Sequence, residues 1–395
     1  MRPAARVQAA IELLDGIIDA ARTSGAAADT LIARYFKTRR FAGSGDRRAI
    51  RELVYRAIRR SGERPTSGRA ALLGLAEDDS ILLQLFGGEG HAAGALIAGE
   101  PIAAASAAPL WLKDRFDPLA AGEDEQAALL DRAPLDIRVN TLRGTLAQAR
   151  AAFPEAEPSP LSPTGLRLAD GYAVEESAAW QAGLVEIQDE GSQLIALATG
   201  AAPGMRVVDL CAGAGGKALA LAAMMDGKGG LHACDTDRGR LSRMVPRVRR
   251  AGAENIETHL LNPNRELETL GELIGQADIV LVDAPCSGTG TWRRNPEARW
   301  RLTPGRLDRL VKLQAHILDV AADLVRPGGV LVYAVCSLLT EEGRAQAEAF
   351  AARRSAFVSE DPPIPGGRPA GAGRLLSPRH DRTDGFFIAR WRAPC

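Results

Sequence analysis

Residues 279–286 read Ile-Val-Leu-Val-Asp-Ala-Pro-Cys and residues 329–337 read Gly-Val-Leu-Val-Tyr-Ala-Val-Cys-Ser, so two apolar runs each end in a cysteine. Short runs of this kind, rich in β-branched residues, predict buried strands of a parallel sheet. Ligands bind beyond the carboxyl ends of such strands. We therefore expect the thiols of Cys286 and Cys336 to open onto one crevice, together with the carboxylate of Asp283.

The chain around these runs alternates between strand and helix patterns. We predict strands at Val207–Leu210, Leu231–Cys234, Ile256–Leu261, Ile279–Asp283, Val330–Val335 and Phe386–Trp391. Helices are predicted from Gly216 and over Arg238–Ala251, Pro304–Val325 and Thr340–Ala352. Strictly alternating elements are typical of the α/β class with a doubly wound, Rossmann-like parallel sheet.

Two other regions precede this sheet. Residues 5 to about 105 show only helical periodicity, which predicts about five short helices. Leu135–Asn140, Gly165–Leu168 and Val185–Asp189 read as strands, with a helix between the first two, and predict a small α/β module. We therefore divide the chain into a helical domain (1–105), a linker helix with the small module (106–190) and a catalytic domain (191–395).

Composition narrows the class of protein. The 395 residues carry no net charge, but arginine is concentrated in residues 34–64, 238–250 and 293–312, which favours a polyanionic partner. No signal peptide and no run apolar enough to span a bilayer is evident, which indicates a cytoplasmic protein without a membrane partner. The five cysteines and five histidines show no metal-ligand spacing, so we expect no metal site.

A glycine-rich turn, Asp209-Leu210-Cys211-Ala212-Gly213-Ala214-Gly215-Gly216-Lys217, follows the first predicted strand of the sheet. Such a turn lets a nucleotide cofactor approach the backbone, and an acid after the next strand, here Asp235, holds ribose hydroxyls. The turn alone fits NAD or S-adenosylmethionine. The missing GxGxxG spacing favours S-adenosylmethionine. Asp235 could instead cap the next helix, and Lys217 in the first turn of a helix predicts an anionic neighbour.

Three motifs carry a specific resemblance: the turn at 209–217, Asp-Ala-Pro-Cys-Ser-Gly-Thr-Gly at 283–290 and Val-Cys-Ser at 335–337. They closely resemble those of the RsmB/Nop/Sun family of RNA cytosine 5-methyltransferases, and the similarity extends over roughly residues 109–391. The family usually has proline where Ala214 stands and threonine where Val335 stands. The resemblance implies a class I methyltransferase sheet and S-adenosylmethionine as cofactor.

The resemblance also implies roles for residues. Cys336 would be the nucleophile that adds to carbon 6 of cytosine, Cys286 would assist breakdown of the covalent adduct, and Asp283 would hold the base edge beside the cofactor. Asn262 or Asn264 stands where the family usually has an adenine-contacting aspartate. The implied cofactor site consists of Cys211, Ala212, Gly213, Ala214, Gly215, Gly216, Lys217, Asp235, Asn262 and Asp283.

The expected partner is RNA. Trp292 and Trp300 lie among Arg293, Arg294, Arg299 and Arg301, which would combine stacking with phosphate contacts, although either tryptophan could belong to the core. The N-terminal helices resemble the NusB-like domain of family members that modify small-subunit ribosomal RNA. This favours 16S ribosomal RNA and a monomeric enzyme. The alternatives are a tRNA substrate, a DNA cytosine methyltransferase and a weakly active ribosome assembly factor.

Overall fold

A computed structural model describes residues 1–23 and 25–395. The described chain forms two compact units. The first comprises residues 1–116, 121–132 and 291–306, and the second comprises residues 117–120, 133–290 and 307–395. The association of residues 291–306 with the first unit has no counterpart in the sequence-based division, which itself remains a prediction.

The first unit is helical. Its helices are α1 (Pro3–Arg22), α2 (Ala28–Thr38), α3 (Ser44–Arg60), α4 (Gly68–Glu77), α5 (Ser80–Leu83) and α6 (Glu123–Ala128). The apolar positions of α1, such as Leu14 and Ile17, are fully buried against Ile50 and Val54 of α3 and Leu72 of α4. Helical periodicity thus identified the inward faces correctly. In the part of the chain that is described, no helix is both long and apolar enough for a membrane span.

Residues 291–306 are part of the core of this unit, and the expected RNA-stacking role of the two tryptophans is wrong. Trp292 is 0% exposed and Trp300 3% exposed. The Trp300 Nε1 donates to the Ser61 carbonyl at 2.8 Å. The buried Arg299 guanidinium donates to the backbone carbonyls of Ile58, Arg59 and Ala107. These side chains hold the segment in place and are not available to bases.

The second unit begins with a small antiparallel sheet. Its elements are β1 (Leu135–Val139), α7 (Leu146–Ala152), β2 (Glu157–Pro158), β3 (Gly165–Leu168), α8 (Ala178–Gln181) and β4 (Val185–Ile187). The strand order is β2-β3-β1-β4. Ile137, Leu166 and Val185 pack with Phe153 in its core. The alternating patterns in the sequence located three of these strands.

A nine-stranded sheet forms the rest of the second unit. Its strands are β5 (Arg206–Asp209), β6 (Gly230–Asp235), β7 (Ile256–Leu260), β8 (Ala277–Asp283), β9 (Val325–Val335), β10 (Val358–Glu360), β11 (Arg368–Ala370), β12 (Gly373–Leu376) and β13 (Phe386–Arg392). The order is β11-β12-β13-β9-β8-β5-β6-β7, with β10 against β13. Strands β5 to β9 pair in parallel. The predicted doubly wound, Rossmann-like sheet is therefore confirmed.

Helices cover this sheet. They are α9 (Glu190–Thr199), α10 (Gly216–Met224), α11 (Arg238–Ala251), α12 (Glu266–Thr269), α13 (Pro304–Leu324), α14 (Arg344–Arg353) and α15 (Pro378–Asp381). The helix predicted from Thr340 begins only at Arg344. Because Glu342 is fully buried and hydrogen-bonded, residues 337–343 form an irregular segment under the strand ends, and no helix N-terminus lies directly beyond Cys336.

Candidate active site

The two thiols meet at the carboxyl ends of β8 and β9. Cys286 follows β8 by three residues and Cys336 follows β9 directly. Their sulfur atoms are 3.2 Å apart. The Gly290 N–H donates to the Cys336 carbonyl at 3.1 Å, which holds the loop after β8 against the end of β9. The two predicted strand ends thus bring the thiols into contact, whereas a crevice shared with Asp283 stays a prediction.

The two sulfurs are in hydrogen-bond contact, in which either atom could be the donor. The hydrogen bond with Cys336, then burial, hold the pKa of the Cys286 thiol well above its ordinary value, and the nearby charge of Glu342 adds to this. The Cys286 thiol therefore keeps its proton at neutral pH.

Asp283, the last residue of β8, forms an ion pair with a lysine. The Lys217 Nζ lies 2.5 Å from the Asp283 Oδ2. Burial alone would lower the pKa of Lys217, but the charge and hydrogen bond of Asp283, with the nearby charge of Asp209, together outweigh burial and raise it. The anionic neighbour predicted for a lysine in the first turn of α10 is therefore Asp283.

The glycine-rich turn connects β5 to α10. Gly213 and Gly215 have φ of +57° and +87°, where residues with a Cβ are strained. A Cβ on Gly215 would also lie 2.6 Å from the Met244 Cγ. The Gly213 N–H donates to the Asp235 carboxylate at 2.8 Å. Two glycines and one acid thus set the shape of the turn.

Asp235 does not cap the next helix. The N-cap of α11 is Asp237, whose carboxylate accepts from the Arg240 N–H at 3.0 Å. Asp235 instead accepts from Gly213 and from the Asp237 N–H. The cap interpretation of Asp235 is therefore wrong, and the residue belongs to the turn.

Asp209 is a candidate functional residue that the sequence interpretation did not assign. It is fully buried at the end of β5, and neither of its carboxylate oxygens has a hydrogen-bond partner among the described residues. Burial, followed by the charge of Asp283, raises its pKa to about 7. A buried acceptor without a partner beside a glycine turn fits a bound ligand that donates hydrogen bonds. Its position as the first residue of the turn motif was the available signal.

Glu342 is a second residue that the sequence interpretation did not single out. Its carboxylate accepts from the Ser287 N–H at 2.8 Å, the Gln314 Nε2 at 2.9 Å and the Ser337 Oγ at 2.6 Å. Ser287 and Ser337 each follow one of the two cysteines. Glu342 therefore joins the two loops that carry the thiols. No sequence pattern marks a buried glutamate of this kind, because the partners come from distant parts of the chain.

Two further cysteines lie outside the thiol pair and the glycine-rich turn. Cys234 is buried within β6 and Cys395 is exposed, as expected for cysteines without a catalytic role.

The two asparagines that could contact the cofactor lie at the end of a neighbouring strand. Asn262 and Asn264 are exposed just beyond β7. Val335 is fully buried and pairs with Phe387 of β13. The contacts of the asparagines do not distinguish between them as ligand residues.

The sequence and fold match known proteins. The family model described as 16S rRNA methyltransferase RsmB/F matches residues 196–392. Ribosomal RNA small subunit methyltransferase B of Xylella fastidiosa (strain 9a5c) is 38% identical over 73% of this chain and 70% of its own length. The probable ribosomal RNA small subunit methyltransferase B of Synechocystis is 32% identical over 71% of this chain and 66% of its own length.

Solved structures share the fold. The crystal structure of PH0851 superposes with a TM-score of 0.76 at 23% identity, covering 99% of both chains. NSun6 from Pyrococcus horikoshii with SFG superposes with a TM-score of 0.63 at 21% identity, covering 71% of this chain and 96% of its own. These structures show the shared fold. The match to the Xylella relative, together with the family model, shows that the chain belongs to the RsmB/F methyltransferase family.

Proposed function

We propose that this protein transfers a methyl group from S-adenosylmethionine to carbon 5 of a cytosine in 16S ribosomal RNA. The observation that carries the proposal is the pair of sulfurs 3.2 Å apart beside the Lys217–Asp283 ion pair. The thiols supply covalent catalysis and the ion pair supplies a proton. The family match and the printed names of the relatives support the choice of reaction and substrate.

The residues around the turn fit S-adenosylmethionine, which supplies an electrophilic methyl group when bound. Asp209 offers a buried acceptor without a partner to the cofactor's ammonium group. The backbone of 211–216 approaches a ligand closely because of its glycines, and Asp235 lies at the end of the neighbouring strand for the ribose. The proposed site is lined by Cys211, Ala212, Gly213, Ala214, Gly215, Gly216, Lys217, Asp235, Asn262 and Asp283, with Asp209 added.

The reaction begins with addition to the ring. Carbon 5 of cytosine is a poor nucleophile until a sulfur adds at carbon 6. Cys336 gives its proton to solvent and its sulfur bonds to carbon 6. In the same step a proton of the Lys217 ammonium group passes through Asp283 to ring nitrogen 3. The resulting enamine makes carbon 5 nucleophilic toward the methyl group.

The second half of the reaction restores aromaticity. After methylation, carbon 5 must lose its proton and the bond between carbon 6 and sulfur must break. Cys286 lies 3.2 Å from the sulfur that leaves, so it is placed to return a proton to Cys336 and to accept the one from carbon 5. Ring nitrogen 3 returns its proton to the Lys217–Asp283 pair in the same step. We assign proton transfer to Cys286 and attack to Cys336, as the family resemblance implies.

RNA contact is proposed for the helical unit. Arg34, Lys37, Arg40, Arg48 and Arg51 on α2, α3 and the turn between them are exposed. Arg39, Arg56 and Arg60 of the same stretch pair with acids instead. The five exposed cations have no ion-pair partner among the described residues, and they form the proposed phosphate-binding surface.

The reaction is tested by trapping on RNA that contains 5-fluorocytidine, whose carbon 5 cannot lose a proton. We expect wild-type protein and a Cys395→Ala control, which removes an exposed cysteine, to form a stable protein–RNA adduct that requires S-adenosylmethionine. Cys336→Ala should form none. An adduct that survives Cys336→Ala would refute the assigned nucleophile. Bisulfite sequencing of 16S ribosomal RNA from a deletion strain then identifies the base, and unchanged methylation throughout would exclude this substrate.

A further inference from the structure

Two histidines from neighbouring strands of the large sheet approach each other outside the methyltransferase site. The His232 Nδ1 of β6 and the His259 Nε2 of β7 are 3.0 Å apart. A carboxylate completes the group: the Glu257 Oε2 lies 3.7 Å from the His232 Nδ1, and the Glu257 Oε1 lies 3.7 Å from the His259 Nε2. The three side chains form a cluster in which one ligand atom from each lies within 4.8 Å of the others.

The strand register explains the cluster. His232 pairs with Glu257, and His259 lies two positions further along β7. Aligned residues and residues two apart share one face of a sheet. Leu231 and Ala233 point to the opposite face, into the hydrophobic core. Because β7 is the edge strand, the histidine face stays accessible at that edge.

The geometry is close to that of a zinc site. Zinc bonds to histidine nitrogen and carboxylate oxygen of about 2.0–2.2 Å in a tetrahedron place ligand atoms roughly 3.3–3.5 Å apart. The two ring nitrogens are 3.0 Å apart, and each lies 3.7 Å from a different oxygen of the Glu257 carboxylate. Rotation of the exposed Glu257 side chain would bring one of its oxygens to the third position.

The exposure of the cluster also fits a metal ion with a solvent ligand. Cys234 faces the same side but is fully buried within β6 and is not part of the cluster. The Glu257 side chain is 68% exposed, so the fourth coordination position faces solvent.

We propose that His232, Glu257 and His259 bind one zinc ion, with water as the fourth ligand. The ion links the edge strand β7 to β6. Three residues further along these two strands stand Asp235, the last residue of β6, and Asn262, just beyond β7, which both belong to the proposed cofactor site. It supplies no step of methyl transfer. The proposal rests on the histidine cluster alone, so it stands or falls separately from the proposed function.

The test is calorimetric titration of the EDTA-treated, desalted full-length protein with zinc chloride. Wild type should bind one zinc ion per chain at this site. His232→Ala and His259→Ala should each weaken that binding by more than about tenfold, and Glu257→Gln by a smaller factor. His316→Ala is the matched control, because His316 also contacts a carboxylate, Glu266, at 3.0 Å but has no third ligand among the described residues.

A second arm separates this site from the thiol pair, which is itself a potential zinc ligand. Binding should persist in the Cys286→Ala/Cys336→Ala variant, and cobalt substituted for zinc should show four-coordinate absorption without a thiolate charge-transfer band. Glu257→Gln changes an exposed side chain and should keep the circular dichroism spectrum of wild type. Weaker zinc binding by this folded variant then cannot result from misfolding. The proposal is overturned if wild type binds no zinc, if the histidine variants bind as wild type does, or if binding is lost with the thiols.

Discussion

The thiol pair of Cys286 and Cys336 and the imidazole pair of His232 and His259 arise in the same way, by parallel pairing of neighbouring strands. The sulfurs are 3.2 Å apart and the ring nitrogens 3.0 Å apart. The first pair lies beyond the strand ends, where ligands of such sheets bind, and the second lies on a sheet face. The location, more than the proximity, is the reason why methyl transfer is proposed for the thiol pair and metal binding for the histidine pair.

The largest loss of methyl transfer is expected when the nucleophile of the thiol pair is removed. Cys336→Ala should lower methyl transfer from labelled S-adenosylmethionine by at least about 10³-fold, because the covalent route to an activated carbon 5 is lost. Cofactor binding, measured by calorimetry, should change by less than about threefold. Substantial residual methylation with normal RNA binding would mean that another group attacks the base.

The next effect concerns the ion pair beside the thiols. Lys217→Met should reduce the rate constant for methyl transfer by about 10²-fold, because Asp283 loses the cation that keeps a proton beside the base. Lys228→Met is the matched control, since Lys228 pairs with Asp226 at 2.6 Å but both side chains are exposed. Equal rates for the two variants would remove Lys217 and its ion pair from the mechanism.

A smaller effect arises on β5, the strand between the two pairs. Its Asp209 has a folded-state pKa raised to about 7, whereas the unfolded side chain titrates near its ordinary value of about 4. Unfolding therefore releases a proton between these values, and the contribution of Asp209 to stability falls as pH rises from about 4 to about 7. The fall should amount to a few kcal/mol at most.

Denaturant unfolding across this pH range checks the effect on β5. Asp209→Asn should lack the fall and should therefore gain stability relative to wild type as pH rises. Asp226→Asn, at an exposed carboxylate, should follow wild type. Parallel pH profiles for wild type and Asp209→Asn would show that the buried carboxylate is not titrating as described.

The smallest effect on methyl transfer is expected for a variant of the histidine pair. His259→Ala should leave methyl transfer at saturating cofactor within about threefold of wild type, because the ring acts on no reacting atom. A loss of activity as large as that of Cys336→Ala, in a variant whose circular dichroism shows that it is folded, would contradict this prediction. In that case the edge of the sheet would be part of the reaction.

Much of the sheet could be predicted from local pattern. Arg238–Ala251 matches α11 at both ends, and Gly165–Leu168 matches β3, because both patterns are unambiguous over their length. The short strands β10 to β12 were missed, since they are only three or four residues long and depend on pairing, β10 and β12 with β13 and β11 with β12. The helix expected from Thr340 was misplaced because the burial of Glu342 is a tertiary effect.

The site residues likewise include some that could be predicted from the sequence and some that could not. Cys286, Cys336 and Asp283 could be named because apolar runs and a specific motif point to them. The histidine pair could not be found, because the two residues stand 27 positions apart on strands whose pairing partners the sequence does not state. Trp300 and Arg299 were misjudged because buried arginines and tryptophans have the same sequence signature as an RNA-binding surface.

The unequal roles of the two thiols are tested most directly by Cys286→Ala with ordinary, unfluorinated RNA and S-adenosylmethionine, followed by mass spectrometry of the protein–RNA adduct. We expect a methylated adduct to accumulate, because breakdown of the bond between sulfur and carbon 6 is impaired, and we expect the attached base to map to Cys336. An adduct mapped elsewhere, or turnover at the wild-type rate without accumulation, would contradict the assignment of attack to Cys336 and release to Cys286.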